Sequence, residues 1–309
     1  MIDALTTLLS SPMMQRSLLA ALIVGLTAPI IGTYLVHRRL AMLGDGIGHI
    51  SLTGVALGWL VGAFANVSPA DSWAIPGAVI ISLLGAITIE LVRQSGRTSG
   101  DTALAMLFYG GIAGGVLLIG LAGGTSAQLN SYLFGSISTV RWSDITLITI
   151  LGIAIVALGI GLAPALFSVT NDEDFARSTG LPVRTLSLLI AVLSALTVAV
   201  AMRVVGSLLV SALMVIPVAI AQLGARSFRS TMGIAMALGV VICMSGLSLT
   251  YFIDLSPGAT IVVGAIALYA IGFGIRAIVD RIRRVRRLRA ARSHNQHPER
   301  ELLAHADAS

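Results

Sequence analysis

Lysine is absent from this sequence, and charge of either sign is scarce. The 309 residues include 20 basic residues, all of them arginine, and 14 acidic residues, so only 11% of the chain is charged. Soluble globular domains carry about 25% charged residues, whereas 56% of this chain is hydrophobic and its mean hydropathy is +0.94. The composition therefore predicts an integral membrane protein. Because the phosphate-binding loop of P-loop ATPases requires a lysine, any ATP hydrolysis must come from another subunit.

Cysteine and net positive charge are also restricted. The single cysteine, Cys243, lies in an apolar run, and one cysteine excludes an intramolecular disulfide. Residues 276–309 hold nine arginines and four acidic residues, a net charge of +5 out of +6 for the chain, so nucleic-acid binding is not indicated. We predict a polytopic transmembrane domain over residues 1–280. Residues 281–309 are expected to form a disordered, arginine-rich cytoplasmic tail beside anionic lipid headgroups.

Long hydrophobic runs fill the rest of the sequence. A transmembrane helix needs about 20 mostly apolar residues. By this measure we predict about nine transmembrane helices, over residues 16–36, 47–65, 73–92, 102–122, 144–167, 184–203, 206–224, 230–252 and 258–279. Residues 129–140, LNSYLFGSISTV, are too short to span the bilayer and are expected to form a re-entrant or interfacial helix. The predicted fold is an all-α integral membrane protein.

The arginines between the runs predict the orientation in the membrane, because basic residues are enriched in cytoplasmic loops. If residues 129–140 do not cross, five clusters fall on one side: Arg38 with Arg39, Arg93 with Arg97, Arg177 with Arg184, Arg226 with Arg229, and the tail. Two exceptions, Arg141 and Arg203, fall on the other side. We therefore expect the N-terminus outside and the C-terminus in the cytoplasm.

Two polar residues interrupt the apolar pattern in MLGDGIGHISLTGVALGWL, residues 42–60. Asp45 and His49 are four residues apart, so on a helix both lie on one face, one turn apart. A carboxylate and an imidazole suit zinc and also manganese, and ionisable groups inside spans usually face a cavity or pathway. Alternatively, Asp45 caps the second helix and His49 packs in the core. Two ligands are too few for a closed zinc site, but a symmetric dimer would bring two of each to its axis.

A second polar feature is VTNDEDFARSTGLPVR, residues 169–184. Asn171 is the expected N-cap of a short helix, and the three acidic residues that follow complement the helix dipole in its first turn. Gly180 and Pro182 are expected to end this helix. The segment is predicted to lie along the cytoplasmic membrane face, either as a solvated connector or as a docking element for a soluble partner.

Five segments, taken in order, resemble the membrane-spanning permease subunits of bacterial zinc/manganese-type metal-ion ABC importers. They are YLVHRRLAMLGDGIGHISLTGVALG (34–58), GDTALAMLFYGGIAGGVLL (100–118), LNSYLFGSI (129–137), DEDFARSTGLPVRTLSLLIAVLSALTVAVAMRVVGSLLVSALMVIPVAIA (172–221) and SPGATIVVGAIAL (256–268). Together they cover roughly residues 15–280, and the arginine-rich tail lies outside the resemblance.

The resemblance implies a homodimeric permease in the bacterial plasma membrane, bound to separate ATP-binding subunits and supplied by an extracytoplasmic metal-binding protein. It implies no enzyme activity in this chain and no permanently bound cofactor, since the metal is cargo and ATP binds the partner subunit. The aspartate and histidine of the family's G-D-x-x-x-H motif are associated with the metal path, and here they match Asp45 and His49. The family's ATPase-coupling segment matches Asn171, Asp172, Glu173, Asp174, Phe175, Ala176, Arg177 and Gly180.

The residues after His49 bear on which metal is carried. Members that resemble the zinc branch read S-L-x-G-V-A-x-G, whereas manganese and iron members more often read x-x-L-P-G-V-A. Residues 51–56, SLTGVA, lack that proline. We therefore expect zinc, with a manganese or iron importer of the same family as the alternative, because Asp and His accept these ions as well.

Three other functions compete with an ATP-driven permease. A gradient-driven secondary transporter would use an intramembrane acid as proton carrier, and Glu90 and Asp101 are the nearest candidates, although both lie at span ends beside arginines. A membrane metalloprotease is disfavoured because the sequence has no H-E-x-x-H motif. A structural subunit would tolerate replacement of Asp45 and His49. ATPase binding that depends on residues 171–180 would separate the permease from all three.

Overall fold

Helices make up nearly all of the described backbone. The computed structural model describes residues 10–65, 70–96, 99–123, 125–136, 140–253 and 255–306, and these contain helices but no strand, which confirms the predicted all-α fold. The α-helices are α1 (Pro12–His37), α2 (Ala41–Phe64), α3 (Ala74–Ser95), α4 (Gly100–Leu121), α5 (Ser126–Phe134), α6 (Trp142–Gly161), α7 (Ala163–Asn171), α8 (Glu173–Ser178), α9 (Val183–Val205), α10 (Val210–Gln222), α11 (Phe228–Phe252) and α12 (Pro257–Ala306). A 3₁₀-helix, Ala70–Trp73, leads into α3.

Eight helices in the described part of the chain are long and apolar enough to cross a membrane: α1, α2, α3, α4, α6, α9, α11 and α12. They correspond to eight of the nine predicted spans. The remaining span, residues 206–224, forms the 13-residue helix α10 instead, which is about 20 Å long against a hydrocarbon core of about 30 Å. It is short because Gly206, with φ +89°, ends α9 and residues 206–209 are not helical.

The predicted run 144–167 is likewise divided. Helix α6 ends at Gly161, and α7 starts at Ala163 with Pro164 in its first turn, a position where the missing N–H of proline costs no hydrogen bond. The apolar run is thus partly a spanning helix and partly a separate helix that leads into the polar segment.

The short segment near residue 130 folds inward against the break between α9 and α10. Helix α5 has nine residues, too few to span, as predicted. The backbone N–H of Ser207 donates to the carbonyl of Tyr132 over 2.9 Å. Tyr132 is buried in an apolar cluster with Leu52 and Trp59 of α2. The segment therefore lies inside the bundle beside the second half of α2, the arrangement expected of a re-entrant element.

Helices α1 and α9 form the centre of the bundle, whereas α4 and α12 lie at its periphery. In the most apolar window of each helix, 72% of α1 and of α9 is buried, against 17% of α4 and of α12. The hydroxyl of Tyr34 donates to the carbonyl of Gly159 over 2.6 Å and ties α1 to α6. Helix α2 packs against α3, α4, α9 and α10. The helix that carries Asp45 and His49 is therefore held on several sides.

The last helix extends beyond the final predicted span. Its backbone is helical to Ala306, whereas the sequence predicts disorder after residue 280. Residues 281–306 are rich in arginine, alanine and leucine, which have high intrinsic helix propensities. Residues 307–309 lie outside the described part. The division into a domain over 1–280 and a tail over 281–309 stays a prediction.

Candidate functional site

Asp45 and His49 lie on one face of α2, one turn apart. Helix α2 begins at Ala41 with Leu40 in the N-cap position, so Asp45 lies inside the helix and does not cap it. The Nε2 of His49 is 3.9 Å from Oδ1 of Asp45. The side chain of His49 is 3% exposed and that of Asp45 is 25% exposed. His49 therefore lies in the interior of the protomer, and Asp45 is partly accessible at its surface.

Neighbouring helices contact both members of this pair. Ser211, at the start of α10, donates a hydrogen bond of 3.1 Å to Oδ1 of Asp45. The ring of Phe108 in α4 packs edge-on against His49, with 4.2 Å between centroids. The Nδ1 of His49 is buried and has no hydrogen-bond partner among the described residues. Buried polar atoms are normally paired, so the unpartnered nitrogen makes His49 an exception among the described residues.

Gly48 allows the break between α9 and α10 to lie directly against α2. A Cβ built at this position would be 2.7 Å from the carbonyl oxygen of Ser207, closer than real side chains approach. Non-helical backbone at membrane depth occurs where it is buried in protein or lines a cavity. The hydroxyl of Ser207 is also buried without a partner among the described residues. The turn of α2 that carries His49 therefore faces a polar interruption in the bundle.

Asp45 and His49 of one chain would be an incomplete set of ligands for a metal ion. In the part of the chain that the structure describes, no group of three or more His, Cys, Asp or Glu side chains is placed to hold a metal ion. Asp45 and His49 supply two donors, and structural zinc sites usually have four. A second copy related by a two-fold axis would supply the same two donors again.

The polar segment forms the short helix α8, with one correction to its predicted start. Asn171 is the last residue of α7 and is not the N-cap. The cap is Asp172, whose carboxylate accepts hydrogen bonds from the N–H groups of Asp174 (3.0 Å) and Phe175 (2.9 Å). The difference arises because α7 continues one residue further than expected, so that Asp172 is the first residue with extended backbone. Gly180, with φ +82°, follows the end of the helix as predicted.

The two sides of α8 have different surroundings. Ala176 is buried, and Glu173 forms ion pairs with Arg38 and, over 3.5 Å, with Arg93. On the other side, Phe175 is 61% exposed. Asp174 and Arg177 form an exposed ion pair of 3.3 Å beside it. The outward side thus presents one aromatic ring flanked by charges of both signs.

Glu173 belongs to a group of four charged residues, here called the charge cluster: Arg38, Glu90, Arg93 and Glu173. Arg93 donates two hydrogen bonds to Glu90, of 3.0 and 2.9 Å. The side chains of Arg38 and Glu90 are only 4% and 3% exposed. Burial lowers the pKa of the Arg38 guanidinium and the nearby charge of Arg93 lowers it further, while Glu173 and Glu90 raise it. The cluster joins the end of α1 to α3 and α8.

Sequence reasoning missed most of these neighbours. Ser211 and Phe108 have no motif of their own, because their roles depend on how α10 and α4 pack against α2. The Glu90–Arg93 pair has helical i,i+3 spacing and was visible in the sequence. It also changes the reading of Glu90, which is bound by Arg93 and Gln94 and is not a free acid.

Most of the arginine clusters meet at one end of the bundle. Arg38 and Arg93 share the charge cluster, and the backbone carbonyl of Arg184 accepts a hydrogen bond from Gln94. Arg226 lines a pocket with His37, the last residue of α1. Arg97 lies outside the described residues. The segments predicted to share one membrane face are thus close together in the fold.

Comparison with known proteins gives concordant matches. The sequence pattern of the family described as ABC 3 transport family matches residues 10–276. The manganese transport system membrane protein MntC of Halalkalibacterium halodurans is 32% identical, over 86% of this chain and 88% of that protein. The high-affinity zinc uptake system membrane protein ZnuB of Haemophilus influenzae is 29% identical, over 82% of this chain and 94% of that protein.

A solved structure, PsaBC from Streptococcus pneumoniae in complex with Fab, has a similar fold. Its TM-score is 0.78 at 30% sequence identity, over 88% of this chain and 95% of the matched chain. The family pattern covers most of the residues, and the relatives align along most of their own length. The chain therefore belongs to the ABC 3 transport family.

Proposed function

We propose that this chain is the membrane-spanning permease of an ATP-driven importer of divalent metal ions, with zinc as the expected cargo. The observation that carries this proposal is the buried imidazole of His49, whose Nδ1 has no partner among the described residues and whose Nε2 lies one helical turn from the Asp45 carboxylate. An ionisable group with an unsatisfied buried nitrogen inside a spanning helix is costly, and ionisable groups in spans usually serve a substrate or ion path.

The chemistry of the pair fits a transported ion. A divalent ion entering the bilayer loses its hydration shell, so the protein has to replace those ligands and neutralise the charge. The Asp45 carboxylate supplies negative charge and the neutral His49 ring supplies a nitrogen donor. A homodimer would place two carboxylates and two imidazoles around one ion. The ion must also leave, and a site shared between two moving halves can release it more readily than a closed cage within one chain.

Zinc is the first cargo to test, because two nitrogen and two oxygen donors suit its tetrahedral preference. Manganese is the second candidate, and the likeness to MntC, a manganese transport protein, favours it. Manganese accepts the same donors but prefers more oxygen ligands. The Ser211 hydroxyl, bonded to Asp45, is one additional oxygen that the fold offers beside this pair.

The remaining parts of the proposal concern partners and orientation. The exposed side of α8, with Phe175 between Asp174 and Arg177, is proposed to dock on a separate ATP-binding subunit. An extracytoplasmic metal-binding protein would supply the ion at the opposite end of the bundle. The chain is placed in the bacterial plasma membrane with its N-terminus outside and its C-terminus in the cytoplasm, in accord with the arginines gathered at one end.

Reconstitution into liposomes with the ATP-binding subunit and the metal-binding protein tests this function. In vesicles with the ATP-binding subunit on the inside, we expect zinc uptake that requires ATP inside the vesicle. When zinc and manganese are supplied together and the ions taken up are counted, zinc should outcompete manganese. Manganese outcompeting zinc would select the second candidate. Uptake that continues without ATP, driven by a proton gradient, would reject the ATP-driven permease in favour of a secondary transporter.

Ser211→Ala is expected to weaken metal binding without affecting assembly. The hydroxyl orients Asp45 through the 3.1 Å hydrogen bond, and loss of a partner of a metal ligand typically lowers metal affinity by about 10–100-fold. Equilibrium metal binding to the purified complex measures the effect. The matched control is Ser194→Ala, a buried serine of α9 whose hydroxyl donates to the carbonyl of Ile190 in its own helix. Equal affinities of the two variants would show that Ser211 does not position Asp45.

A further inference from the structure

Two adjacent acidic residues of α8 point in different directions. Asp174 is exposed with a side-chain exposure of 92% and pairs with Arg177 within the same helix. Glu173 is 39% exposed and pairs across the fold with Arg38. The side of α8 that is free to meet a soluble partner therefore holds Asp174 and Phe175, whereas Glu173 faces the membrane-spanning bundle.

Arg38 depends on Glu173 for its charge balance. Its side chain is 4% exposed, its guanidinium bonds Glu173 and, over 3.0 Å, the hydroxyl of Ser187 in α9, and the positive charge of Arg93 lies nearby. Glu90 is already bound by Arg93 through two hydrogen bonds. The two arginines and two glutamates of the charge cluster thus balance, and Glu173 is the only one of the four that belongs to α8.

Arg38 lies in the short connector that leads into the helix of the candidate metal site. The connector is hydrogen-bonded at both ends: the N–H of Leu40 donates to the carbonyl of Leu35 in α1 (2.8 Å), and the N–H of Leu43 in α2 donates to the carbonyl of Leu40 (2.9 Å). Helix α2 starts immediately afterwards, and Asp45 is in its second turn. A displacement of α8 would therefore reach the start of α2 through one ion pair and a hydrogen-bonded turn.

We propose that Glu173 is a positioning residue that attaches α8 to the connector before α2, so that movement of α8 is transmitted to the helix carrying Asp45 and His49. This inference rests on the proposed function, in which α8 docks on an ATP-binding subunit. Under this inference, the acidic residues of the segment do not all dock on the partner. Phe175 makes the contact with the partner, and Glu173 links α8 to the bundle. Removal of Glu173 leaves docking intact and uncouples ATP hydrolysis from transport.

Glu173→Gln in the reconstituted complex tests this assignment. We expect normal retention of the ATP-binding subunit and continued ATP hydrolysis, with zinc uptake per ATP reduced about ten-fold, the scale of mutations that change coupling between sites. Glu173→Asp, which keeps the charge, should restore most of the coupling. Asp280→Asn, which removes the exposed partner of Arg276 within α12, is the matched control and should couple as the unmodified protein does.

Four results would overturn the proposal. Glu173→Gln could transport as well as the control Asp280→Asn, which would show that Glu173 has no coupling role. Glu173→Gln could also lose the ATP-binding subunit, as we expect of Phe175→Ala, which would make Glu173 a docking residue. If Glu173→Gln does not accumulate, the double variant Arg38→Gln/Glu173→Gln, with no unpaired charge left at this position, is expected to show the same loss of coupling. Normal coupling in that double variant, or its failure to accumulate, would leave the pair with a folding role alone.

The proposed function has separate tests, so the two can fail independently. If unmodified protein takes up metal without ATP, or if Phe175→Ala retains the ATP-binding subunit fully, then the ATP-driven permease or the docking role of α8 is wrong. If both of those results are as expected and only Glu173→Gln behaves as the control, the function stands and the assignment of Glu173 is wrong.

Discussion

Asp45→Asn is expected to lower metal uptake by about 100-fold or more while leaving the fold intact. The amide has nearly the shape of the carboxylate, and its oxygen can still accept the hydrogen bond from Ser211. What changes is the charge, since in a homodimer the substitution removes both negative charges that would face the cation. Even partners of metal ligands change affinity by about 10–100-fold, so loss of the ligand charge should cost more. Radiolabelled zinc uptake and equilibrium metal binding measure it.

His49→Ala should have a comparable effect, because it removes the nitrogen donor. The matched control is His37→Ala, which deletes a histidine at the end of α1 that bonds the carbonyl of Thr33 and lies 12 residues away in sequence. That variant should transport normally. Thermal unfolding of each purified variant separates lost binding from lost structure, because His49 also packs against Phe108. Normal uptake by Asp45→Asn or His49→Ala would show that the metal path does not run along α2.

The all-α fold and most of its spans were predictable because their signal is local. A run of about 20 apolar residues is long enough to cross the bilayer wherever it occurs, so eight of the nine predicted spans appear as helices long enough to cross a membrane. The division of 206–224 was not predictable in this way. Its cause is tertiary: the turn at Gly206 is held by backbone hydrogen bonds to Tyr132 and Leu133 from a distant segment.

The candidate site was predictable only for residues that share one helix. Asp45 and His49 follow from i,i+4 spacing, but the contacts of Ser211 and Phe108 depend on the packing of α10 and α4 against α2. The inward direction of Glu173 has the same origin. Three consecutive acids in the sequence are equivalent as first-turn residues, and only the position of Arg38 at the end of another helix distinguishes the second of them.

Gly206→Ala is expected to lower the free energy of unfolding by about 2–6 kcal/mol, from two effects that add. With φ +89°, an alanine at this position would be strained. A Cβ would also overlap the carbonyl oxygen of Leu133, which belongs to the backbone and cannot rotate away. The N–H groups of Ser207 and Leu208 donate to the carbonyls of Tyr132 and Leu133, and a shift that relieved the overlap would break those hydrogen bonds. The thermal midpoint and folded yield in detergent measure the loss.

Two other glycines separate these contributions. Gly96 has φ +65° but no atom within 4 Å of a built Cβ, so Gly96→Ala should show the backbone strain alone, about 1 kcal/mol. Gly161 has neither a positive φ nor a close neighbour, and Gly161→Ala should be neutral within about 0.5 kcal/mol. Equal losses of stability in the Gly206 and Gly96 variants would show that the backbone between α5 and the break moves at little cost to accommodate a Cβ. A larger loss at Gly206 means that this junction fixes the break, and with it the position of Ser207 against Gly48, one residue before His49.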